Sequence, residues 1–151
     1  MTAITAKTLA DTRALLLSAG SPFELDEVVT ARGRFKIFKN APANLLELID
    51  AGRGHGDAEL VIFEGERWTF KQFFAQVDVL RTQLVDKFGV IPGETIAIAM
   101  RNYPEWLVAF SAAAYAGAIV VPLNSWGKTD ELLHGIDDAD AKVLLDRKSV
   151  V

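Results

Sequence analysis

The longest stretch without a charged side chain runs for 22 residues, from Trp106 to Gly127. A single helix of that length is long enough to cross a lipid bilayer. However, Gly117 and Pro122 lie inside the stretch, and proline costs about 3 kcal/mol in the interior of a helix. The β-branched residues 119–121 favour a strand instead. We therefore predict a buried helix ending near Gly117, followed by a buried strand, and no membrane span.

Composition narrows the class of protein. The 151 residues include 16 Lys and Arg against 20 Asp and Glu, a net charge of −4, which argues against a nucleic-acid-binding protein. Half of the residues are hydrophobic, as in globular domains, and the length fits one such domain. The sequence contains no cysteine, which excludes disulfides and thiolate chemistry and fits a reducing compartment. We therefore expect a cytoplasmic protein.

The second half of the chain alternates between strand and helix patterns. Strands are predicted at residues 96–100, 119–121 and 142–145, and helices start near Pro104 and at Thr129, which is expected to cap the second helix. The first strand is apolar at every position, which is typical of a strand covered on both faces. This order predicts right-handed crossovers on a parallel sheet. The fold class is therefore α/β, a three-layer βαβ parallel-sheet unit.

A β-hairpin and a long helix are predicted before the parallel sheet. Residues 60–63 and 67–68 flank a turn, Thr69 is a good N-cap, and Gln72 completes a capping box. The helix presents one apolar stripe to a core and ends at Gly89. The members of the stripe are Phe70, Phe73, Phe74, Val77, Leu80, Leu84 and Phe88.

The first third of the chain lacks this regular alternation. A helix ending at Gly20 is followed by residues 21–41, which are predicted to be irregular apart from a short extended piece at 35–38. Asn44 can cap a short helix, and residues 52–57, with three glycines, are the best linker. The predicted regions are an N-terminal helical arm at 1–57 and an incomplete βαβ domain at 58–151.

Several motifs suggest ligand chemistry but have the wrong spacing. Residues 127–129 (GKT) follow a strand and open a helix, as in a phosphate-binding loop, but Pro122 stands where that motif needs glycine. Residues 52–56 (GRGHG) follow a helix rather than a strand. His55 and His134 lack metal-ligand spacing. A cluster at Asp137, Asp138 and Asp140 is typical of a solvated turn. We assign no catalytic, cofactor-binding or metal-binding residue.

By its motifs, the chain from Trp68 onward resembles the N-terminal part of an acyl-CoA synthetase of the adenylate-forming (AMP-binding) superfamily. Residues 21–48 are also similar to the start of fatty-acid or aromatic-acid CoA ligases. The motifs that carry the resemblance are residues 67–70 (RWTF), 89–94 (GVIPGE), 96–106 (IAIAMRNYPEW), 116–124 (AGAIVVPLN), 131–132 (EL) and the positions 137 and 141–144 (D, AKVL).

The resemblance implies that the parent enzyme activates a carboxylic acid with ATP and Mg²⁺ to an acyl-adenylate, which the CoA thiol converts to a thioester. The family's phosphate loop, adenine-binding segment, ribose-binding Asp, hinge and C-terminal catalytic Lys lie further along such chains. Residues 147–151 also look like the start of another helix. We therefore expect a fragment of the large domain that is inactive by itself and binds none of ATP, Mg²⁺ or CoA.

Polar side chains that follow the predicted parallel strands are candidates for substrate contact. Ligands of doubly wound sheets bind at the carboxyl ends of strands. Arg101, Asn102 and Asn124 stand at those ends, as does Asp146. The first three are our substrate-binding candidates. The alternative is that both asparagines only cap turns.

Two other functions stay open. A domain derived from such a ligase could serve as a non-catalytic interaction or regulatory module, and a P-loop-like nucleotide binder would depend on residues 127–129 alone. An exposed sheet edge or apolar face would also favour a homo-oligomer.

Overall fold

The structure, a computed structural model, describes residues 8–146. The helix predicted to start at 147–151 therefore lies outside the described residues. The helices are α1 (Leu9–Leu16), α2 (Leu45–Asp50), α3 (Phe70–Asp86), α4 (Pro104–Tyr115) and α5 (Thr129–Asp138), with a 3₁₀ helix at Ala51–His55. The strands are β1 (Leu25–Thr30), β2 (Gly33–Phe38), β3 (Glu59–Phe63), β4 (Glu66–Thr69), β5 (Thr95–Ile98), β6 (Ile119–Pro122) and β7 (Ala141–Leu145).

The chain divides into two compact units, one up to Ala43 and one from Asn44. The predicted arm extends further, to Asp57. In the first unit, α1 begins at the N-cap Thr8 and ends at Leu16, four residues before the predicted end. The Ser18 hydroxyl donates to the Leu15 carbonyl at 2.7 Å, so a side chain meets one of the terminal carbonyls of the helix.

Strands β1 and β2 form an antiparallel hairpin, so the prediction that residues 21–41 are largely irregular is wrong, whereas the short extended piece predicted at 35–38 is confirmed within β2. Thr30 pairs with Gly33 across a two-residue loop, and Gly33 has φ +129°. Charged side chains interrupt the apolar alternation on both strands. Two of them, Glu27 and Arg34, form a 2.8 Å ion pair. Cross-strand pairing thus supports a hairpin that the hydrophobic pattern concealed.

The second unit begins with α2, whose predicted cap is confirmed. The Glu47 N–H donates to Asn44 Oδ1 at 3.0 Å. The 3₁₀ helix follows where a linker was predicted, so that prediction is wrong. A Cβ on Gly52 would meet the rings of Phe70 and Phe74 at 3.2–3.3 Å. This glycine therefore permits close packing rather than serving as a linker.

The predicted hairpin and capping box before α3 are both confirmed. Strands β3 and β4 pair antiparallel, and the turn residues Glu64 and Gly65 both have positive φ, as two-residue hairpin turns favour. The Gln72 N–H donates to Thr69 Oγ1 at 3.2 Å, and the Thr69 N–H donates to Gln72 Oε1 at 2.9 Å. The start of α3 is thus set by local hydrogen bonds.

A parallel three-stranded sheet in the order β6-β5-β7 confirms the predicted α/β class. The central strand β5 contributes Ile96, Ala97 and Ile98 to the buried core. Strand β6 lies at an edge, and Ile119 is 56% exposed. The prediction that residues 119–121 form a buried strand is therefore wrong at Ile119, while the other two residues are partly buried.

Helices α3 and α4 complete the core of the second unit. The predicted stripe on α3 holds at its centre, but Phe88 is 54% exposed because the helix ends at Asp86. Val90 instead packs into the core, and its N–H donates to the Leu84 carbonyl at 3.0 Å. The buried core side chains are Phe73, Phe74, Val77, Leu84, Val90, Ile96, Val108, Ala112, Ala113 and Ala116.

The charge-free stretch from Trp106 to Gly127 forms most of α4, the turn after it, β6 and a loop. The prediction of a helix followed by a strand is confirmed. Small side chains on α4, among them Ala112 and Ala113, are fully buried. Within residues 8–146, no helix combines the length and the apolarity that crossing a membrane requires.

Candidate functional site

The carboxyl ends of the three parallel strands lie side by side. The Ala99 N–H donates to the Leu145 carbonyl at 3.0 Å, and the Leu123 N–H donates to the Ile98 carbonyl at 2.9 Å. These bonds extend the sheet pairing just beyond the strands. The segments that follow β5, β6 and β7 therefore emerge at one edge, as the crossover topology requires.

Two cavities open at this edge, and Arg101 lines both. The first, of about 440 Å³, is also lined by Asn102 and Asn124. The second, of about 700 Å³, is lined by Asp146 and Thr129 among others. The structure thus brings the three candidate substrate-binding residues to one cavity. Their role in binding stays a prediction.

The loop after β6 is held by Asn124. Its Oδ1 accepts a hydrogen bond from the Trp126 N–H at 3.1 Å, and its backbone carbonyl accepts from the Gly127 N–H at 2.8 Å. Asn124 therefore stabilises a turn, as the alternative interpretation expected of it. Asn102 lines the 440 Å³ cavity and also a neighbouring apolar cavity against β3.

Trp126 is a residue of this site that the sequence reasoning missed. The Arg101 guanidinium carbon lies 3.7 Å from the centroid of the Trp126 ring. That distance is within the range of a cation–π contact. The signal that could have found it was a tryptophan beside Asn124 in the loop after an apolar strand.

The GKT segment at 127–129 is arranged as a helix start. Lys128, not the predicted Thr129, is the N-cap of α5. The Glu131 carboxylate accepts from the Lys128 N–H at 2.9 Å, and Asp130 and Glu131 make the first turn acidic. The N–H of the N-cap residue is thus already hydrogen-bonded to a carboxylate, and the two acidic side chains of the first turn repel an anion. This geometry disfavours nucleotide binding at residues 127–129.

Mg²⁺ binds oxygen ligands, above all the carboxylates of Asp and Glu. Residues 8–146 contain no group of three or more His, Cys, Asp or Glu side chains placed to hold a metal ion. Asp140 of the acidic cluster pairs with Lys142 at 3.2 Å. The His55 ring contacts Phe70, with 4.7 Å between centroids. The described residues therefore form no cluster that could hold a metal ion by protein ligands alone.

A network centred on Arg53 ties the 3₁₀ helix to α3 and α4. Its guanidinium donates to both carboxylate oxygens of Asp78, at 2.7 and 3.1 Å, and to Asp50 at 3.0 Å. It also lies 4.3 Å from the centroid of the Phe74 ring. The Tyr115 hydroxyl donates to Asp50. Bidentate pairing with a carboxylate fixes the orientation of the guanidinium plane.

This network shifts the pKa values of its members. Hydrogen bonds from Arg53 hold the pKa of Asp78 below its ordinary value of 3.8. The hydrogen bond from Tyr115, followed by that from Arg53, lowers the pKa of Asp50. Burial and then the hydrogen bond to Asp50 raise the pKa of Tyr115. The folded state therefore favours the ionised carboxylates.

We expect Asp78→Asn to lower the free energy of unfolding at pH 7 by about 0.2–1 kcal/mol, the range for partly exposed ion pairs. A lowered carboxyl pKa stabilises the fold above the unfolded pKa, and this contribution is lost as pH falls through the folded pKa. The difference between parent and variant should therefore shrink below about pH 4. Urea denaturation at several pH values measures it.

The control for this prediction is Asp57→Asn. Asp57 is exposed, and no ion pair to it occurs among the described residues. The free energy of unfolding of Asp57→Asn should stay close to that of the parent from pH 7 to pH 3, because no ion pair is lost. An Asp78→Asn difference that stays constant from pH 7 to pH 3 would contradict the linkage.

Comparison with known proteins assigns the family. The sequence model of the family described as "AMP-binding enzyme" matches residues 48–151, which lie within the second compact unit. The chain belongs to the AMP-binding enzyme family. The resemblance to adenylate-forming acyl-CoA synthetases is thereby confirmed at the family level. The similarity expected for residues 21–47 lies outside the matched span and stays a prediction.

Three curated relatives of this AMP-binding chain are CoA ligases by name. The 4-hydroxybutyrate–CoA ligase 2 of Metallosphaera sedula is 30% identical over 101 residues, covering 67% of this chain and 18% of that protein. The 2-succinylbenzoate–CoA ligase of Bacillus cereus is 34% identical, covering 59% and 18%. The medium/long-chain-fatty-acid–CoA ligase FadD6 of Mycobacterium tuberculosis is 29% identical, covering 68% and 17%.

Solved structures share the fold. The fused adenylation–PCP di-domain NpsA-ThdA of Klebsiella oxytoca has a TM-score of 0.64 and 23% identity, covering 69% of this chain and 20% of that one. The NpsA N-terminal subdomain in complex with 3-hydroxybenzoyl-AMSN also has a TM-score of 0.64, covering 70% and 27%. The predicted architecture of the large domain is confirmed. This AMP-binding chain spans about a fifth of the length of the curated relatives it matches.

Proposed function

We propose that this chain supplies the first βα layers of the large domain of an ATP-dependent acyl-CoA ligase. The observation that carries the proposal is the family match over residues 48–151. The names of the relatives, which act on hydroxy, aromatic and fatty acids by those names, support a CoA ligase and leave the acid open. The substrate class is a carboxylic acid.

The proposed overall reaction has two half-reactions. A carboxylate oxygen attacks the α-phosphorus of ATP, and pyrophosphate leaves. The CoA thiol then attacks the acyl carbon, loses its proton and displaces AMP, which gives the acyl-CoA. ATP, Mg²⁺ and CoA would serve the whole enzyme. Residues 8–146 contain neither a cluster of metal-ligand side chains nor a phosphate loop, so we propose that other parts of the enzyme supply both and that this chain alone is inactive.

Within that enzyme, Arg101, Asn102 and Asn124 are the proposed points of substrate contact in this chain. All three line the 440 Å³ cavity at the carboxyl ends of the strands. This is the place where open parallel sheets bind ligands. We also propose a cytoplasmic location, since the sequence contains no cysteine that would need an oxidising compartment.

The test compares this chain with the natural polypeptide that contains it, whose intact mass is measured first. Each is incubated with ATP, Mg²⁺, CoA and a panel of short-chain, medium-chain and aromatic acids. We expect the natural polypeptide to release pyrophosphate and form a thioester that needs both ATP and CoA. The chain alone should form neither product.

Two results would contradict the proposal. Thioester formation by the chain alone would contradict the proposal that this chain is inactive by itself. A natural polypeptide that forms no thioester with any acid would favour the second candidate, a non-catalytic interaction domain.

That candidate is supported by the exposed side chains Ile119 on β6 and Leu144 on β7, the two edge strands of the sheet. A second copy of this chain is a proposed partner for those edges.

A further inference from the structure

We propose that Arg101, held on the ring of Trp126, binds the oxyanion of a carboxylate or phosphate ligand in the 440 Å³ cavity. The site lies at the carboxyl end of β5 and pairs a loop after β5 with a loop after β6. Naming carboxylate and phosphate as the two sources rests on the proposed function, because the acid, ATP, pyrophosphate and CoA all carry such groups.

The contact with Trp126 holds the guanidinium by its face. The guanidinium carbon is 3.7 Å from the centroid of the indole ring. The N–H donors of arginine point outward in the guanidinium plane, so a contact with the face leaves the donating edge available. That edge matches the two oxygens of a carboxylate or phosphate group.

The charge environment favours an incoming anion. Arg34, Arg53 and Arg67 each form an ion pair with a carboxylate. Arg101 forms no ion pair with a carboxylate of residues 8–146. The 440 Å³ cavity contains Arg101 as its only charged lining residue among those described. The acidic Asp146 lines the larger cavity instead. The smaller cavity is therefore the one that suits an oxyanion.

The walls of this cavity suit a ligand with an apolar or aromatic body. Trp106, Leu123 and Trp126 line it beside the amides of Asn102 and Asn124. The Trp106 ring is stacked on Phe110, with 5.3 Å between centroids and an interplanar angle of 13°. The volume of the cavity, about 440 Å³, lies within the range of small-molecule sites. Apolar walls with a few placed polar groups are typical of such sites.

Tryptophan fluorescence of this chain tests the site without any turnover. The sequence has three tryptophans, and Trp126 is 74% exposed and in contact with Arg101. Octanoate and benzoate probe the carboxylate source, and inorganic phosphate and pyrophosphate probe the phosphate source. We expect a saturable change with at least one of these probes. The change should be reduced in Trp126→Phe, which leaves Trp106 as the remaining tryptophan of this cavity, and it should weaken in high salt.

Variants at Arg101 make the test specific. Arg101→Gln should weaken binding by at least about tenfold, because charge-assisted hydrogen bonds are lost. Arg101→Lys should fall between the parent and Arg101→Gln, because lysine keeps the charge without the planar fork. The matched control is Arg67→Gln, an exposed arginine of the same unit that pairs with Glu59 at 2.8 Å. It should bind as the parent does.

The inference is overturned if no probe gives a saturable change, or if Arg101→Gln binds as tightly as the parent. Far-ultraviolet circular dichroism verifies that each variant is folded, as expected for substitutions at the exposed position 101. If the probes bind but the natural polypeptide forms no thioester, the oxyanion site is supported and the proposed ligase function is contradicted. If the natural polypeptide forms a thioester but no probe binds in this cavity, the ligase function is supported and the oxyanion site is contradicted.

Discussion

Ile96→Ala is expected to lower the free energy of unfolding by about 2–5 kcal/mol. Ile96 is fully buried in the central strand of the parallel sheet. Its backbone lies between Val120 on one side and Val143 on the other. Alanine removes three carbon atoms and leaves a cavity that packed neighbours on both flanks fill only in part. Urea denaturation of this chain at pH 7, followed by circular dichroism, measures the loss.

Two matched variants separate burial from residue type. Ile96→Val should cost about 0.5–1.5 kcal/mol, since one methyl group is removed. Ile62→Ala makes the same chemical change on β3, where the side chain is 61% exposed, and should cost much less. An equal loss for the alanine variants at positions 62 and 96 would show that β5 is not the core of this unit.

Gly117→Ala should be the second largest change, at about 2–3 kcal/mol. Gly117 has φ +77°, a conformation that costs a side-chain-bearing residue about 1–2 kcal/mol. An added Cβ would also lie 3.0 Å from Pro92 Cβ and 3.3 Å from its Cα. The Gly117 carbonyl accepts a 2.9 Å hydrogen bond from the Gly93 N–H, which keeps the two turns together. Urea denaturation again gives the magnitude.

Gly89→Ala is the control for that prediction. Gly89 has φ +67°, but nothing lies within 4 Å of the Cβ that alanine would add. It should therefore show the backbone cost alone. The difference between the two variants reports the contact with Pro92. A loss at Gly117 no larger than that at Gly89 would mean that the two turns separate at little cost.

Signals that act over a few residues predicted the second unit well. Asn44 and Thr69 cap their helices as expected, because a cap needs only a side chain and an amide three residues away. The hairpin β1–β2 was missed because charged side chains such as Glu27 and Arg34 replace the apolar alternation. Gly52 was taken for a linker because its packing partners, Phe70 and Phe74, lie far along the chain.

The sequence predicted where the candidate cavity lies and three of the residues that line it, but not Trp126. Arg101, Asn102 and Asn124 follow strands, and the carboxyl ends of parallel strands meet at one edge whatever the side chains are. Trp126 was missed, because its contact with Arg101 depends on which loops lie beside each other. The turn bonds of Asn124 were foreseen as an alternative, since they join residues only two or three positions apart.

The sequence by itself determined the alternation of helices and strands in the second unit and the motifs of the AMP-binding family. Periodicity and caps are short-range properties, so they can be read along the chain. Only the tertiary structure decided that β5 lies between β6 and β7, that β6 is an exposed edge, and that Arg101 rests on Trp126. These features depend on which distant segments of the chain lie side by side, because strand order and contacts between loops are set by packing in three dimensions and not by neighbouring residues.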